Sequence, residues 1–149
     1  MLEALFNEVN LQIAFQLFLA VVLGGLIGIE RKQQERMAGL RTFALVSLAG
    51  ALFTMLSLGL MDISYPQPVS FDPIRIIQSI AIGFGFLGGG IIIYRHFQLE
   101  GFTTAVALWI TAAIGISVSL KFYFLATLTT LIVIIVLSGF RQIEKRIWD

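Results

Sequence analysis

The stretch GGLIGIERKQQERMAGLRT, residues Gly24–Thr42, decides the fold of this chain. It begins in the last part of a long apolar run, passes through a charged segment and enters a second apolar run at its end. Helices of about 20 apolar residues are long enough to cross the hydrocarbon of a bilayer. The stretch therefore predicts a charged turn between two membrane-spanning helices.

The composition is that of a membrane protein. Of the 149 residues, 58% are hydrophobic and 13% are charged, and the mean hydropathy is +0.92. Soluble domains carry about twice that charged fraction, so most of the surface is expected to face lipid. The net charge of +1 argues against a nucleic-acid partner. The absence of cysteine and the single histidine, His96, exclude thiolate and multi-histidine metal sites within one chain. We expect no cofactor.

Five apolar stretches are long enough to span a bilayer. They cover residues 11–29, 42–61, 74–94, 104–120 and 122–140. We therefore predict an all-α integral membrane protein with five transmembrane helices, forming a single domain over residues 1–149. The segment DISYPQPVSFDP, residues 62–73, holds the chain's three prolines and predicts a loop. The first run lacks the basic start of a signal peptide, so we expect it to be a genuine span.

Lysine and arginine are distributed unequally between the two sides of the membrane. With five spans, all of the 10 basic residues except Arg75 and Lys121 fall on one side. Because cytoplasmic loops carry the excess of basic residues, this bias predicts an external N-terminus and a cytoplasmic C-terminus.

Small residues recur at four-residue spacing in the first, third and fourth spans, which predicts close helix packing in lipid. The predicted packing positions are Ala20, Gly24, Gly28, Gly85, Gly88, Gly89, Gly115 and Trp109. We expect the first four helices to form the packed bundle and the bulky fifth to face lipid. The face made by Ala20, Gly24 and Gly28 would then remain free for a second chain, so the expected partners are the bilayer, a second copy in a homodimer or other oligomer, and another membrane protein.

Two parts of the chain resemble each other. Residues 23–31 (LGGLIGIER) align with residues 87–95 (LGGGIIIYR), and after links of different length GLRT at 39–42 aligns with GFTT at 101–104. Each copy is a helix, a basic turn and a returning helix. Two copies that run the same way through the membrane predict a parallel internal repeat, helices 1–2 and 3–4, about an axis along the membrane normal.

The two basic turns of the repeat are expected to meet on the cytoplasmic side. Thr42 and either Thr103 or Thr104 are predicted as N-caps of the returning helices, whose electropositive ends attract anions. The candidate site residues are Glu30, Arg31, Arg41, Thr42, Arg95, Glu100, Thr103 and Thr104. Two interpretations stay open: a pocket for an anionic group or a partner's acidic side chain, or a set of residues that orients and caps the helices at the headgroups.

The motifs GGLIGIER, RMAGLRT, GFLGGG and GFTTAVALW, in this order, resemble the membrane domain of the MgtC/SapB family. The resemblance implies a five-helix bacterial inner-membrane unit that regulates membrane energetics and adaptation to low magnesium. It assigns importance to residues of both turns, namely Gly28, Glu30, Arg31, Gly39, Leu40, Arg41, Thr42, Gly85, Phe86, Leu87, Gly88, Gly90, Gly101, Thr103, Thr104, Leu108 and Trp109. The chain departs from the family pattern at Gly89, Phe102, Val106 and Ala107, and is expected to be a short member without the soluble domain that follows the fifth helix in many members.

The candidate residues do not predict an enzyme. Glu30 and Glu100 have arginine neighbours that favour the ionised state, which is typical of structural pairs. No span holds an acidic residue near its centre, as an ion path normally does, although a broken helix at residues 83–90 would leave transport open. We therefore predict a non-enzymatic membrane regulator. The alternatives are an ion or small-solute transporter and a cytoplasmic-face binding module for an anionic lipid or metabolite.

Overall fold

The computed structural model describes residues 7–33, 38–61, 72–95 and 98–148 of the chain. Its elements, in chain order, are α1 (Glu8–Gln33), α2 (Leu40–Met61), α3 (Pro73–Ile91), β1 (Ile93–Arg95), β2 (Gln98–Glu100), α4 (Phe102–Ser119) and α5 (Tyr123–Trp148). All five helices are long and apolar enough to cross a membrane. The predicted number and order of spanning helices are confirmed.

Two helix ends differ from the prediction. The third helix ends at Ile91 instead of 94, because the chain becomes extended at Ile92 and residues 93–95 pair with residues 98–100 as an antiparallel hairpin. The run of isoleucines that follows the last glycine favours this extended backbone. The fifth helix continues through the polar tail to Trp148, since lysine, arginine and glutamate are good helix formers. The remaining helix boundaries lie within about one turn of the predicted ends, the largest difference being at α1, which extends from Glu8 to Gln33.

The fourth helix, α4, is the centre of the bundle. In its spanning window 61% of the residues are buried, against 39% for α1, 28% for α2 and 17% for each of α3 and α5. It contacts all four other helices. The prediction that the first four helices share the packed core is therefore wrong for α3, which is as peripheral as α5.

Three helices, α1, α2 and α4, touch at backbone level near the middle of the bundle. A Cβ atom on Gly24 would lie 2.5 Å from the carbonyl oxygen of Phe43, and one on Gly115 would overlap the carbonyl oxygen of Ser47. Only glycine allows helices to approach this closely. Ala20 is fully buried, and Gly24 packs on α2, so the prediction that this face stays free for a second chain is wrong.

A side chain of α1 completes the end of α4. The turn after Ser119 has Lys121 in the left-handed region (φ 65°), and Phe122 N–H donates to the carbonyl of Ser117 at 2.9 Å, the pattern of a Schellman motif. The buried Gln16 amide donates to the carbonyls of Val118 (2.9 Å) and Ser119 (3.1 Å). A single polar residue of the first helix thus binds the last carbonyls of the central helix, which lipid cannot hydrate.

Candidate functional site

A buried ion pair occupies the last turns of α1. The side chains of Glu30 and Arg31 are 9% and 5% exposed, and Arg31 Nε donates to Glu30 Oε2 at 2.8 Å. Within the part of the chain that the structure describes, the other carboxylate oxygen, Oε1, is buried without a hydrogen-bond partner. Removing one member of such a pair leaves an uncompensated buried charge, which is strongly destabilising.

Glycines bring the start of α2 against this ion pair. A Cβ atom on Gly28 would lie 2.6 Å from Leu40 Cα, so α2 begins in direct contact with α1 just before Glu30. The helix starts at Leu40, and Phe43 N–H donates to the carbonyl of Gly39 at 3.2 Å. Thr42 is therefore an exposed residue inside the first turn, and its prediction as the N-cap is wrong.

The second turn also uses a glycine where a threonine cap was predicted. Gly101 is the N-cap of α4, with φ 87° and no side-chain hydrogen bond. A Cβ atom there would lie 2.7 Å from the carbonyl oxygen of Ile91, so both the backbone angle and the space require glycine. Thr103 and Thr104 lie in the first turn of α4, one exposed and one buried, and neither is the N-cap.

The structure brings together part of the predicted site. Glu30 and Arg31 form the buried pair, whereas Arg41, Glu100 and Thr103 are exposed. Among the side chains that are described, neither Arg41 nor Glu100 forms an ion pair. The backbone of Arg95 lies in β1, but its side chain is outside the described part, and so is His96. Convergence of both turns on one ligand remains a prediction.

A lateral groove between α2 and α3 is the feature that the sequence did not predict. It has a volume of about 680 Å³. Its walls are Ala49, Phe53, Ser57, Arg75, Ile76, Ser79, Ile80, Gly83, Phe84 and Leu87. At one end the Arg75 side chain is 84% exposed and its Nε lies 3.7 Å from Asp72 Oδ2. The groove exists because α3 leans on α4 and has little contact with α2, a relation that no local pattern encodes.

The outer face of α3 is also open. Among the described residues no atom outside the adjoining helix backbone lies within 4 Å of a Cβ built on Gly85, Gly89 or Gly90, and Phe86 is 81% exposed. The prediction that Gly85 and Gly89 pack against a neighbouring helix is therefore wrong within this chain. Gly88 differs, because it faces the carbonyl oxygen of Ala105 at 3.3 Å. Trp109 ties α3 to α4 through a 3.0 Å hydrogen bond from its indole N–H to the carbonyl of Ala81.

Metal and catalytic chemistry find little support in this arrangement. In the ranges that the structure describes, no three His, Cys, Asp or Glu side chains come together as a metal site would require. The buried carboxylate of Glu30 is held by its arginine neighbour, which suits a structural pair better than proton transfer.

Comparison with known proteins identifies the relatives of the chain. Residues 17–146 match the MgtC family. Protein SrpB of Synechococcus elongatus is 35% identical over 150 residues, which cover 93% of this chain and 80% of that protein. YhiD of Escherichia coli, described as a putative magnesium transporter, is 36% identical over 90% of this chain and 63% of its own length. Protein MgtC of Brucella abortus is 43% identical over 65% of this chain and 38% of its own length.

These relatives and the helices agree on the class of protein. The chain spans less than two thirds of the lengths of YhiD and of the Brucella protein. No solved structure matches it. Its five apolar helices, in a chain that aligns with relatives over most of its length, are those of a multi-pass membrane protein.

Proposed function

This chain belongs to the MgtC family, and from that premise we propose that it is a non-enzymatic regulatory protein of the bacterial inner membrane. It supports adaptation to low magnesium and membrane energetics. It acts through helix contacts with another membrane protein and does not carry ions through its own centre. Its N-terminus lies outside and both basic turns are cytoplasmic, as the distribution of lysine and arginine favours.

The observation that carries this proposal is the tight crossing of α1, α2 and α4. At Gly24, Gly50 and Gly115 the neighbouring helix backbone occupies the space where a side chain would lie. An ion path needs water or converging polar groups at this depth. The buried hydroxyls of Thr54 and Thr111 donate to carbonyls of their own helices, at 2.8 and 2.7 Å, and the buried Ser47 hydroxyl at the crossing has no hydrogen-bond partner among the described residues. A closed centre favours a protein that works through its outer surfaces.

The internal repeat is part of the same proposal, and two sets of contacts support it. The alignment pairs Gly24 with Gly88 and, continued by one residue beyond Thr42, pairs Phe43 with Ala105. In the structure Gly24 faces the carbonyl oxygen of Phe43, and Gly88 faces that of Ala105. Equivalent glycines therefore contact equivalent carbonyls in the two hairpins α1–α2 and α3–α4.

The second set of contacts lies between the two hairpins, where α2 meets α4. The same register pairs Gly50 of α2 with Ala112 of α4. A Cβ atom on Gly50 would lie 2.5 Å from the carbonyl oxygen of Ala112, so two equivalent residues touch each other. Self-equivalent contacts are expected where a pseudo-two-fold axis passes between two copies.

Two measurements test the regulatory function. A strain that lacks the protein should lose growth at low magnesium and regain it when the chain is supplied. Proteoliposomes of the purified protein should pass magnesium, protons and small anions no faster than protein-free liposomes. Flux above that background, together with normal growth of the deletion strain, would overturn the proposal in favour of transport.

Transport is the second candidate, because one buried carboxylate oxygen, Glu30 Oε1, has no partner among the described residues and YhiD carries the description of a putative magnesium transporter. If Glu30 serves a cation, Glu30→Gln combined with Arg31→Gln, which removes both charges of the buried pair and leaves neither uncompensated, should abolish flux while the protein still inserts and folds. A binding module for an anionic lipid or metabolite is a weaker candidate. Arg31 is buried and neutralised by Glu30, so it is not available to an anion. The support that is left is Arg41, which is exposed and has no ion-pair partner among the described side chains.

A further inference from the structure

The fifth helix rests on a seat made by α1 and α4. Ala126, Thr130 and Val133 of α5 are buried, and Ala126 and Val133 share one core cluster with residues of α1 and α4. At one end of the seat the ring of Tyr123 meets Phe15 edge-on, with ring centroids 5.9 Å apart. The contact face of α5 thus places small or β-branched residues at the spacing i, i+4, i+7, typical of close helix packing in lipid.

The repeat alignment places an equivalent seat on α2 and α3. On α4, the residues Thr111, Ile114 and Val118 are at most 1% exposed. Their counterparts on α2 by the same register are Ala49, Leu52 and Leu56. Leu52 is 43% and Leu56 is 56% exposed. The α2 counterparts are therefore more exposed than the α4 residues, and of the three only Ala49 lines the lateral groove.

The lateral groove lies at this equivalent seat. On α3, Ser79 is the counterpart of Phe15 and Gly83 is the counterpart of Leu19, and both line the groove together with Ala49 of α2. The hydroxyl of Ser79 already donates to the carbonyl of Arg75 at 2.8 Å. The groove walls are thus apolar along their length and carry an exposed guanidinium at one end.

We propose that the α2–α3 groove binds one transmembrane helix of another membrane protein. The bound helix presents the contact chemistry of α5, with small or β-branched residues at i, i+4 and i+7. It carries an acidic residue at the end that meets Arg75, whose side chain is 84% exposed and whose Nε lies 3.7 Å from Asp72 Oδ2, so that the partner's carboxylate competes with Asp72 for the guanidinium. This inference rests on the proposed function and the proposed repeat, and it names the site at which the regulator meets its partner.

The test uses a peptide that copies α5 as the probe, because the repeat predicts that its contact face fits the groove. A fluorescent peptide of residues 122–140 (FYFLATLTTLIVIIVLSGF) is titrated against the full-length protein in bicelles, and binding is read by energy transfer. Gly83→Leu fills the groove, whereas Gly90→Leu adds the same side chain to the same helix outside the groove lining. Both changes replace a glycine of α3 by leucine, and the gain in helix propensity is smaller at Gly90, which lies in the last turn.

We expect saturable binding to the native protein and to Gly90→Leu, and a loss of affinity of about tenfold or more in Gly83→Leu. A peptide that starts at residue 121 with Lys121→Asp should bind more tightly than its lysine version, and Arg75→Gln in the protein should remove this difference. Binding that is absent, or equal in the two glycine variants, would overturn the groove assignment.

Other occupants give distinguishable results that also overturn the assignment. A groove filled by phospholipid would show bound lipid in native mass spectra that Gly83→Leu removes, with no saturable binding of the peptide. A groove that joins two copies would show a dimer that Gly83→Leu dissociates. The growth and flux measurements do not depend on the peptide, so failure of the groove assignment and failure of the regulatory function are separate outcomes.

Discussion

The two glycine-rich helices of this protein, α1 and α3, have related sequences and opposite surroundings. In α1, Gly24 and Gly28 face the backbone of α2 so closely that a methyl group does not fit. In α3, Gly85, Gly89 and Gly90 face open space within the described chain, and Gly88 alone of this group meets a neighbour. The difference shows that a small-residue pattern indicates a surface on which another helix can pack closely. The pattern does not indicate whether that helix belongs to the same chain.

The largest expected effect comes from disrupting the close contact between α1 and α2. Gly24→Ala places a methyl group against the carbonyl of Phe43, 2.5 Å from its oxygen, and should lower the free energy of unfolding by about 3 kcal/mol through overpacking. Urea or thermal unfolding in detergent micelles measures it. A native-like stability for Gly24→Ala would mean that α1 and α2 are not in backbone contact.

Loss of the hydrogen bonds from Gln16 of α1 to the end of α4 should give the next largest loss of stability. Gln16→Leu leaves the buried carbonyls of Val118 and Ser119 without the side-chain donor and should cost about 2 kcal/mol. Gln12→Leu, on an exposed position of the same helix, is the matched control and should leave stability nearly unchanged. Equal effects of the two changes would contradict the capping role of Gln16.

The hydrogen bond from the Trp109 indole of α4 to the backbone of α3 should have a smaller effect on stability. Trp109→Phe keeps the ring but removes the hydrogen bond to the carbonyl of Ala81, which should cost about 1 kcal/mol. Because this hydrogen bond joins α4 to α3 and not to α1, hydrogen exchange should accelerate in α3 and stay unchanged in α1. A uniform change over both helices would speak against this local attachment.

The smallest expected effect has the opposite sign. Gly85→Ala adds a methyl group where no described atom lies within 4 Å, so only helix propensity changes and stability should rise by roughly 0.5 kcal/mol. Unfolding measured beside Gly24→Ala gives the comparison directly. Loss of stability in Gly85→Ala would show that a neighbour covers this face, such as a second copy.

The spanning helices could be predicted because length and hydropathy determine them locally. The sequence also predicted the two glycine-bounded turns, but it assigned their caps to Thr42, Thr103 and Thr104. At the second turn glycine takes that place because Gly101 has a positive φ and lies against the carbonyl of Ile91. At the first turn the glycine that touches a neighbouring backbone is Gly28, against Leu40. A threonine side chain can supply the hydrogen bond of a cap, but its Cβ does not fit beside the carbonyl of Ile91. That restriction comes from a tertiary contact, which the local sequence does not reveal.

The position of each helix in the bundle could not be read from the sequence. The spacing of Gly85 and Gly89 in α3 is as good a packing signal as that of Gly24 and Gly28, yet of these four only Gly24 and Gly28 meet a neighbouring helix among the described residues. The cap formed by Gln16 also went unrecognised, although a glutamine inside an apolar run is the signal that could have found it, since lipid offers it no partner. The α2–α3 groove depends on how far α3 leans away, which no residue pattern states.

The reactivity of single introduced cysteines tests most directly whether the small-residue face of α1 is buried and the outer face of α3 is exposed. The chain has no cysteine of its own, so Ala20→Cys and Phe86→Cys each provide one thiol, at a fully buried position and at one that is 81% exposed. With a small membrane-permeant thiol reagent and intact mass as the readout, the protein in native membranes should be modified several-fold faster at Phe86→Cys. Equal rates, or faster modification at Ala20→Cys, would contradict the arrangement on which the proposed function rests.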